Sequence, residues 1–425
     1  MAKKVTRLRG MYDVTPDEVW IWQRLEQTIT GLLQQYGYQE IRFPVLEKTA
    51  LFHSAIGEVT DVVEKEMFTF ETRKGESISM RPEGTASTVR TVLQNGMIFN
   101  DPQKLWYLGP MFRYEKPQKG RNRQFSQIGV EVFGFEGPDV DAELLLMTSR
   151  MWKALGLKNV RLELNTLGTQ ACREAYRKVL IAFFEQHMDI LDEEAKSRLY
   201  SNPLRILDSK NPAIQGIIKD APQIADYLSD EAKAHFQGLI DALDACGLEY
   251  VINRNLVRGL DYYSHNVFEW ITEDLGAQGT ICAGGRYDKL VEMQGGKPTP
   301  ATGFAMGVDR LVELIKDLNL WQTENLADAY LIRDKAVAAQ HGLKLSEVIR
   351  QALPNVRLVC NMGEASFKSQ FKKADKSGAR FAIILGEAEL NDGVVAVKSM
   401  VDREFQQQTM KLDALCDFLL QQFEG

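Results

Sequence analysis

The segment LWYLGPMFRYEKPQKGRNRQFSQIGVEVFG, residues 105–134, decides the fold of this chain. Its two ends alternate apolar and polar residues, as half-buried β-strands do, whereas its middle is polar and contains a proline and a glycine. The middle holds a single acid, Glu115, and several cations. These cations are Lys116, Lys119, Arg121 and Arg123. The pattern predicts a β-hairpin with a cationic tip.

The cationic tip predicts a polyanionic partner, because like charges on a loop repel one another and gain little from water alone. At the base of the hairpin we expect Arg113 and Glu131 on opposite strands. There the guanidinium could clamp a phosphate or carboxylate, and the carboxylate could accept a hydrogen bond from a substrate N–H. For a lone hairpin the favoured alternative is a solvated Arg113–Glu131 ion pair. Other segments must decide between the two interpretations.

Composition limits the class of protein. The chain has 425 residues, 44% apolar and 26% charged, which is ordinary for a soluble globular protein of two or three domains. Its 51 Lys and Arg against 58 Asp and Glu give a formal charge of -7. This charge argues against a protein that coats nucleic acid indiscriminately, but it allows local basic patches. Five cysteines without CxxC spacing predict neither a disulfide framework nor a zinc site.

No targeting or membrane segment is predicted. The charged start MAKKVTRLRG is not followed by an apolar stretch, and no run of about 18 apolar residues occurs. We therefore expect a cytoplasmic protein without a membrane partner.

The residues before the hairpin predict a helix and then a strand. Residues 15–36 begin with Thr-Pro-Asp, a helix-start signal, and place apolar residues at helical spacing. The next segment, YQEIRFPVLEKTALF at residues 38–52, is strand-like. Because Pro44 cannot donate to a strand ladder, we expect it at a sheet edge or a bulge.

A carboxylate and a hydroxyl flank a glycine at Glu83, Gly84 and Thr85, just before a helical stretch. Such a group can receive a substrate ammonium, although helix capping is its commoner meaning. The two roles do not exclude each other.

Charged helical segments replace strands from about residue 169 to residue 248, which predicts an inserted helical module. The sheet is expected to resume after it. There Arg258 precedes Tyr262 and Tyr263 closely, which suits an anionic ligand in an aromatic-lined pocket, although paired buried tyrosines are usually core. Further on, the pair Gly284 and Gly285 is expected to let the backbone approach a ligand.

The last hundred residues alternate strands and helices, which predicts a small α/β domain with a mixed sheet. Residues 326–425 contain 13 basic and 13 acidic residues, so the acidity belongs to the preceding part. Lys368, Lys372 and Lys376 recur every four residues. Such a stripe is either a solvated face or a nucleic-acid site.

Three motifs together resemble a known family. Phe112-Arg113-Tyr114-Glu115 resembles motif 2 of the class II aminoacyl-tRNA synthetases, and GFAMGVDRL at residues 303–311 resembles motif 3. LVRGLDYYSHNVFEW at residues 256–270 resembles the signature of the histidyl-tRNA synthetases, apart from Ser264 and His265. The resemblance covers nearly the whole chain and is to the bacterial type. It favours the ligand-binding interpretation of the hairpin.

The resemblance implies a fold of mixed α/β (α+β) type. Residues 1–325 would form a class II catalytic core built on an antiparallel sheet, with the helical insertion at residues 169–248. Residues 326–425 would form a C-terminal α/β anticodon-binding domain. Residues 15–52 would correspond to motif 1 and form a homodimer interface.

The resemblance also implies the site. Arg113 and Arg258 would be catalytic and would act at the substrate carboxylate and the α-phosphate. Histidine would be bound by Glu83, Gly84, Thr85, Arg113, Gln127, Glu131, Arg258, Tyr262 and Tyr263. Within this set, Glu83 and Thr85 would hold the α-amino group, and Glu131 and Tyr263 would face the imidazole nitrogens. No residue is implied as a metal ligand.

ATP, accompanied by Mg²⁺, and tRNA(His) are the other implied partners. ATP would contact Arg113, Glu115, Arg121, Phe125 and Arg310, with Glu115 at the adenine amino group and Phe125 stacked on the ring. The tRNA would contact Gln118, Arg123, Lys368, Lys372 and Lys376. The expected activity is ATP-dependent ligation of L-histidine to the terminal adenosine of the tRNA.

Two other functions remain open. The same fold serves in regulators such as the synthetase-like subunit of ATP phosphoribosyltransferase, but those proteins typically lack the motif arginines and the terminal domain. An amino-acid ligase that does not use tRNA would leave the basic hairpin and the terminal domain unexplained.

Overall fold

This computed structural model describes residues 4–57, 60, 62–260, 262–276, 279–322 and 325–423. The chain divides into two compact units, Met1–Trp321 and Gln322–Gly425. The expected domain boundary between residues 325 and 326 falls just inside the second unit. No helix in the described ranges is both long and apolar enough to cross a membrane.

The described residues form sixteen strands and fourteen α-helices. The strands are β1 Gln39–Glu40, β2 Leu46–Lys48, β3 Thr69–Glu71, β4 Ser77–Met80, β5 Gln103–Phe112, β6 Gln124–Phe133, β7 Val160–Thr166, β8 Val251–Ile252, β9 Ser264–Thr272, β10 Thr280–Arg286, β11 Ala301–Gly307, β12 Ala329–Arg333, β13 Leu358–Cys360, β14 Phe381–Leu385, β15 Val394–Ser399 and β16 Gln408–Lys411. The helices are α1 Pro16–Gln35, α2 Thr49–Ile56, α3 Thr85–Gln94, α4 Asp139–Leu155, α5 Gln170–Glu185, α6 Glu193–Leu199, α7 Pro212–Ile218, α8 Asp230–Ala245, α9 Leu290–Met293, α10 Val308–Asp317, α11 Ala339–Ala352, α12 Phe367–Lys376, α13 Glu387–Asp392 and α14 Leu412–Phe423.

The first unit is built on an eight-stranded sheet of order β1-β5-β6-β11-β10-β9-β7-β8. Its central pairs are antiparallel, and β1 and β8 pair parallel at the edges. The predicted hairpin is confirmed as β5 and β6, which join residues 112 and 124 across the loop at residues 113–123. Because side chains alternate along a strand, β6 sends Ile128 and Val130 to one face of the sheet and Gln127 to the other.

The two faces of this sheet have different covers. Helices α1, α4 and α10 pack on the face that carries Ile128 and Val130 and form one apolar core. The predicted helix at residues 15–36 is confirmed as α1, whose buried stripe includes Leu25, Ile29 and Leu33. The opposite face carries α3, a polar cleft and α5 to α7 of the helical insertion, whereas α8 packs on α4 and adds Leu239 and Leu243 to the first core.

The strand expected at residues 38–52 is wrong as a single element. β1 pairs with β5 in the large sheet, whereas β2 joins the separate three-stranded sheet β2-β4-β3, and α2 follows directly. Pro44 lies between β1 and β2 and belongs to neither strand. A proline removes a ladder donor, so this is where the chain changes from one sheet to the other.

The helical character of residues 169–248 is confirmed by α5 to α8. The expected role of Gly284 and Gly285 is wrong. A Cβ on Gly284 would lie 2.1 Å from the carbonyl oxygen of Gly303, and one on Gly285 would lie 2.4 Å from that of Asn266. These glycines therefore allow neighbouring strands, not a ligand, to approach closely.

The second unit is a five-stranded sheet of order β13-β12-β14-β15-β16, with parallel and antiparallel pairs. The predicted mixed sheet is confirmed, although β16 and α13 were not predicted. On α12 the side chains of Phe367 and Phe371 pack against a core that contains Ala374.

Candidate active site

A cleft of about 440 Å³ opens on the polar face of the large sheet. Its walls come from the β5–β6 hairpin, the start of α3, the loop before β9, and strands β9 to β11. Of the residues predicted at the site, those lining the cleft are Glu83, Thr85, Arg113, Glu115, Arg121, Phe125, Gln127, Arg258, Tyr263 and Arg310. Segments that are far apart in the sequence therefore meet in one cavity.

Arg258 enters the cleft from the loop before β9. Its Nη1 donates to Glu269 Oε1, and Thr280 Oγ1 donates to Glu269 Oε2 at 2.8 Å. Burial alone would lower the pKa of Arg258, but the Glu269 carboxylate raises it above its ordinary value. Its Nε is buried and has no hydrogen-bond partner among the described residues. The guanidinium is thus held as a cation with one donor unused.

Arg113 lies just beyond β5, at the loop end of the hairpin. Its Nε donates to the carbonyl oxygen of Pro82 at 2.9 Å, and its guanidinium carbon lies 5.4 Å from the ring centroid of Phe125. Glu131 lies opposite Leu105, near the other end of the hairpin. The expectation that Arg113 and Glu131 share the base of the hairpin is therefore wrong. The alternative ion pair between them is not formed among the described residues either.

Two further arginines line the cleft near the hairpin loop. Arg121 Nη1 donates to Glu115 Oε2 at 3.2 Å, and Arg310 Nη1 donates to the carbonyl oxygen of Thr280 at 2.6 Å. Burial, followed by the nearby Arg121, lowers the pKa of Arg310. Concentrated positive charge of this kind favours a ligand that carries several negative charges.

Glu83 caps α3 and also lines the cleft. Its carboxylate accepts hydrogen bonds from Thr85 N at 2.6 Å and Ala86 N at 2.9 Å. Burial raises the pKa of Glu83, while these backbone bonds and then Arg113 oppose that shift. The capping interpretation is confirmed, and the carboxylate remains part of the cleft wall.

Glu131 lies beneath the cleft and is only 1% exposed. Thr85 Oγ1 donates to its Oε1 at 2.7 Å, and Tyr287 Oη donates to its Oε2. Burial raises the pKa of Glu131 to about 8, although these hydroxyl bonds act in the opposite direction. A carboxyl group that holds its proton near neutral pH can act as either donor or acceptor.

The paired tyrosines have separate positions. Tyr263 lines the cleft, and the guanidinium carbon of Arg258 lies 5.8 Å from its ring centroid. Tyr262 is buried outside the cleft lining, with ring centroids 4.7 Å from Tyr263 and 5.5 Å from Tyr287. Tyr262 thus supports the residues that line the cleft.

Gly84 also lies outside the cleft lining, and its role is to leave space. A Cβ there would lie 2.2 Å from Cζ of Tyr107, a buried ring whose Oη lies 3.5 Å from both Gln127 Oε1 and Glu131 Oε1. An added methyl group would have to displace this ring.

We expect Gly84→Ala to lower the free energy of unfolding by about 1–3 kcal/mol, because it overpacks a filled site. Gly31→Ala is the matched control: Gly31 lies in α1 and a Cβ there meets nothing within 4 Å. The control should be neutral or stabilising by about 0.5–1 kcal/mol. Urea unfolding measures both variants, and equal effects would contradict the packing role of Gly84.

The hairpin loop holds the predicted tRNA-binding residues of this unit. Gln118 is exposed at its turn, where its N–H donates to the carbonyl oxygen of Arg121 at 3.1 Å. Arg123 lies over the ring of Tyr114, with its guanidinium carbon 3.8 Å from the ring centroid. In the second unit Lys368, Lys372 and Lys376 are exposed on α12.

Three residues that hold the site, Glu269, Tyr287 and Tyr107, were not predicted from the sequence. Glu269 could have been found, because it is the one acid of strand β9 and interrupts the apolar run from Val267 to Ile271. Tyr287 and Tyr107 gave no such signal, since their partner Glu131 lies far from both in the sequence.

The described residues contain no group of three or more His, Cys, Asp or Glu that could hold a metal ion. Of the carboxylates that line the cleft, Glu115 and Glu269 are each paired with an arginine, Glu83 accepts from the start of α3, and Asp309 accepts from Tyr12 and Ser126. Mg²⁺ is usually bound through one or two carboxylates together with substrate phosphates. These residues therefore fit an ion that enters with a nucleotide, rather than one held by the protein alone.

Comparison with known families follows the division of the chain. The family model described as histidyl-tRNA synthetase matches residues 10–311, and the model described as anticodon binding domain matches residues 334–422. Together they span both compact units.

Solved structures give a consistent result. The apo histidyl-tRNA synthetase of S. aureus is 33% identical, with a TM-score of 0.82, over 98% of this chain and 100% of its own. A histidyl-tRNA synthetase from a Nostoc species is 21% identical, with a TM-score of 0.70, over 99% and 100%. An ATP phosphoribosyltransferase regulatory subunit/histidyl-tRNA synthetase from Bacillus halodurans is 22% identical, with a TM-score of 0.67, over 91% and 99%. The last two show likeness of fold alone.

Proposed function

Because the chain belongs to the histidyl-tRNA synthetase family and is a histidine–tRNA ligase, we propose that the cleft described above binds L-histidine and ATP and joins them. One observation carries this proposal. Four arginines from three segments, the hairpin loop, the loop before β9 and α10, line one cleft together with a carboxylate and a hydroxyl at the start of α3. The arginines are Arg113, Arg121, Arg258 and Arg310. This arrangement suits an amino acid beside a triphosphate.

The amino acid occupies the part of the cleft near α3. Glu83 and Thr85 bind its ammonium group, while Tyr263 and Glu131 face the two imidazole nitrogens and Gln127 helps to orient the ring. Gly84 and Tyr262 act through these neighbours. A pocket that hydrogen-bonds both nitrogens rejects apolar amino acids strongly, because its own polar groups would be left unpaired.

ATP occupies the part near the hairpin loop. Glu115 accepts from the adenine amino group and Phe125 stacks on the ring. Arg121 binds the γ-phosphate and Arg310 binds the phosphates. When bound with the outer phosphates, Mg²⁺ would neutralise part of their charge.

In the first step the histidine carboxylate attacks the α-phosphorus of ATP, which gives histidyl-adenylate and releases pyrophosphate. Arg113 and Arg258 hold the carboxylate and the α-phosphate together and stabilise the charge that develops between them. The unused Nε donor of Arg258 supports this role. No side-chain nucleophile is required.

In the second step the terminal adenosine hydroxyl of tRNA(His) attacks the acyl carbonyl and AMP leaves. Gln118 and Arg123 contact the acceptor end. Lys368, Lys372 and Lys376 contact the anticodon stem, in agreement with their exposure on one face of α12.

We further propose that the protein acts in the cytoplasm as a homodimer. Leu46 and Phe70 on the three-stranded sheet are each 45% exposed, which supports an apolar contact surface there. Sedimentation would support the dimer at twice the chain mass of 48.1 kDa and contradict it at that mass alone.

A regulatory role is the weaker alternative. Arg113, Arg258 and Arg310 all line the cleft, and the second unit matches an anticodon-binding family. Both features are those that the non-catalytic relatives typically lack.

Glu83→Gln tests the subsite for the ammonium group. We expect it to weaken binding of histidine and of histidinol, which keeps the amine, by roughly tenfold or more, because a charge-assisted hydrogen bond is lost. Binding of 3-(imidazol-4-yl)propionate, which lacks the amine, should be unchanged. Calorimetric titration measures all three ligands.

Thermal unfolding of the same variant is the control for damage to the cap of α3. Equal weakening of all three ligands would contradict the assignment of Glu83 to the ammonium group.

A further inference from the structure

Residues 4–10 form an exposed basic segment next to the hairpin loop, which we call the N-terminal strap. Its apolar residues Val5 and Leu8 are 94% and 69% exposed. Its cations are Lys4, Arg7 and Arg9, and all three are exposed as well. Burial of its own side chains therefore does not explain why the strap lies where it does.

The strap is fixed immediately after its last residue. Tyr12 Oη donates to Asp309 Oδ1, and Asp309 Oδ2 also accepts from Ser126 N at 2.7 Å. The Tyr12 ring packs on Trp22, with centroids 6.0 Å apart. These contacts tie the chain two residues after the strap to β6, α10 and α1 within the first unit.

The strap also contacts the hairpin loop directly. Arg123 N donates to the carbonyl oxygen of Gly10 at 2.7 Å, and Arg123 Nη1 donates to that of Arg9 at 3.5 Å. Gly10 has φ +83, and a Cβ there would lie 2.7 Å from Cγ of Pro117. Both the conformation and the close approach require glycine, so the contact with the loop is a built feature.

Strap and loop together concentrate positive charge. Their cations are Lys4, Arg7, Arg9, Arg113, Lys116, Lys119, Arg121 and Arg123. The acids paired with any of them are Asp13, Glu115 and Asp317. Among the described residues, Lys4, Arg9, Arg113, Lys116 and Arg123 take part in no ion pair. A local excess of positive charge on a chain of net charge -7 indicates a polyanionic partner.

We propose that the N-terminal strap is a second contact surface for the sugar-phosphate backbone of the tRNA acceptor end, continuous with the hairpin loop. This proposal rests on the proposed function. Apart from Thr6, the polar side chains of the strap are the cations Lys4, Arg7 and Arg9, which are the side chains that most often contact phosphates. It positions the acceptor end through its phosphates and leaves recognition of the sequence to other residues.

The test is the double variant Arg7→Ala/Arg9→Ala in the full chain. We expect KM for tRNA(His) in aminoacylation to rise about tenfold or more at low salt. The slope of log KM against log salt should fall by roughly 2, which is about 1 for each lost phosphate contact. Histidine-dependent ATP–pyrophosphate exchange, which needs no tRNA, should stay within twofold of the wild-type rate.

Lys153→Ala/Lys158→Ala is the matched control. Both lysines are exposed near the end of α4, which packs on the sheet face away from the cleft. This variant removes the same charge and should leave both the KM for tRNA and the salt slope unchanged. The variant Arg7→Ala/Arg9→Lys, which keeps a cation at residue 9, should bind tRNA more tightly than Arg7→Ala/Arg9→Ala.

Three outcomes would overturn the proposal. An unchanged KM and salt slope would show that the strap does not touch tRNA. A parallel fall in pyrophosphate exchange would show that the strap only braces the cleft. If the strap variant and the wild type had equal KM values for tRNA with an altered terminal base pair, the strap would recognise the bases and not the backbone. Absence of exchange in the wild-type protein would instead contradict the proposed function.

Discussion

Arg258→Ala is expected to lower histidine-dependent ATP–pyrophosphate exchange by about 100- to 1000-fold, while histidine binding stays measurable. Arg258 is the cleft arginine that is paired with Glu269 and still keeps an unused buried donor. A group that neutralises charge developing at the α-phosphate contributes mainly to the transition state. Its loss should therefore reduce kcat more than it raises KM for histidine.

Two comparisons make this result specific. Arg254→Ala removes an exposed arginine four positions earlier and should leave exchange unchanged. Arg258→Ala leaves the Glu269 carboxylate without its cation, which itself lowers stability. The double variant Arg258→Ala/Glu269→Gln should regain thermal stability but not exchange. If Arg258→Ala exchanged pyrophosphate at nearly the wild-type rate, the assignment of Arg258 to the α-phosphate would be wrong.

Glu131→Gln is expected to raise KM for histidine about 10- to 150-fold, which corresponds to about 1.5–3 kcal/mol for a hydrogen bond that involves charge. Glu131 has a pKa of about 8 because it is buried, whereas the imidazole of free histidine titrates near about 6.5. Between these two pH values the carboxyl group and the imidazole share one titratable proton. A hydrogen bond between them needs this one proton, because one group must donate and the other must accept.

The pH dependence of KM follows from this proton count. Below about pH 6.5 binding must release a proton, and above about pH 8 it must take one up. The wild-type KM should therefore be lowest between the two values and rise on both sides. In Glu131→Gln the part of the alkaline rise that begins near pH 8 should disappear, because the variant has no carboxyl group to titrate, and only the rise from deprotonation of the histidine ammonium group should remain. Steady-state kinetics from pH 5.5 to 9.5 would measure it.

Stability gives an independent check on the same residue. The folded state holds the Glu131 proton to about pH 8, while an ordinary glutamate loses it near 4.5. The unfolded chain therefore binds fewer protons between these values, so the free energy of unfolding falls as pH rises through this window. Glu131→Gln should lose that part of the pH dependence. Glu249→Gln, at an exposed glutamate, should keep it, and an equal change in both variants would contradict the burial argument.

The hairpin and most helices could be predicted from the sequence because their signals are local. Alternation of apolar residues in residues 105–134 is sufficient to predict β5 and β6, and helical spacing is sufficient to predict α1. The residue-by-residue pairing of β5 with β6 could not be predicted in this way. The loop begins at Arg113 because residue 112 pairs with residue 124, so Glu131 lies far along β6 and not at the hairpin base.

The chemistry around each predicted site residue depends on long-range contacts. Glu131 is held by Thr85 and Tyr287, and Arg258 is held by Glu269. The motifs indicated which residues to expect in the cleft, but not which of them reach its surface. The prediction of a single strand at residues 38–52 was wrong for a related reason. The segment contains two strands, β1 and β2, and each pairs within a different sheet.

ATP–pyrophosphate exchange by the wild-type protein with each of the twenty amino acids, without tRNA, tests the central claim most directly. We expect exchange with histidine alone, because only an imidazole satisfies the polar groups at the end of the cleft. Exchange with several amino acids would contradict the assignment of Glu131 and Tyr263. No exchange with any amino acid, on folded protein that still binds histidine, would contradict the catalytic account and favour a regulatory role.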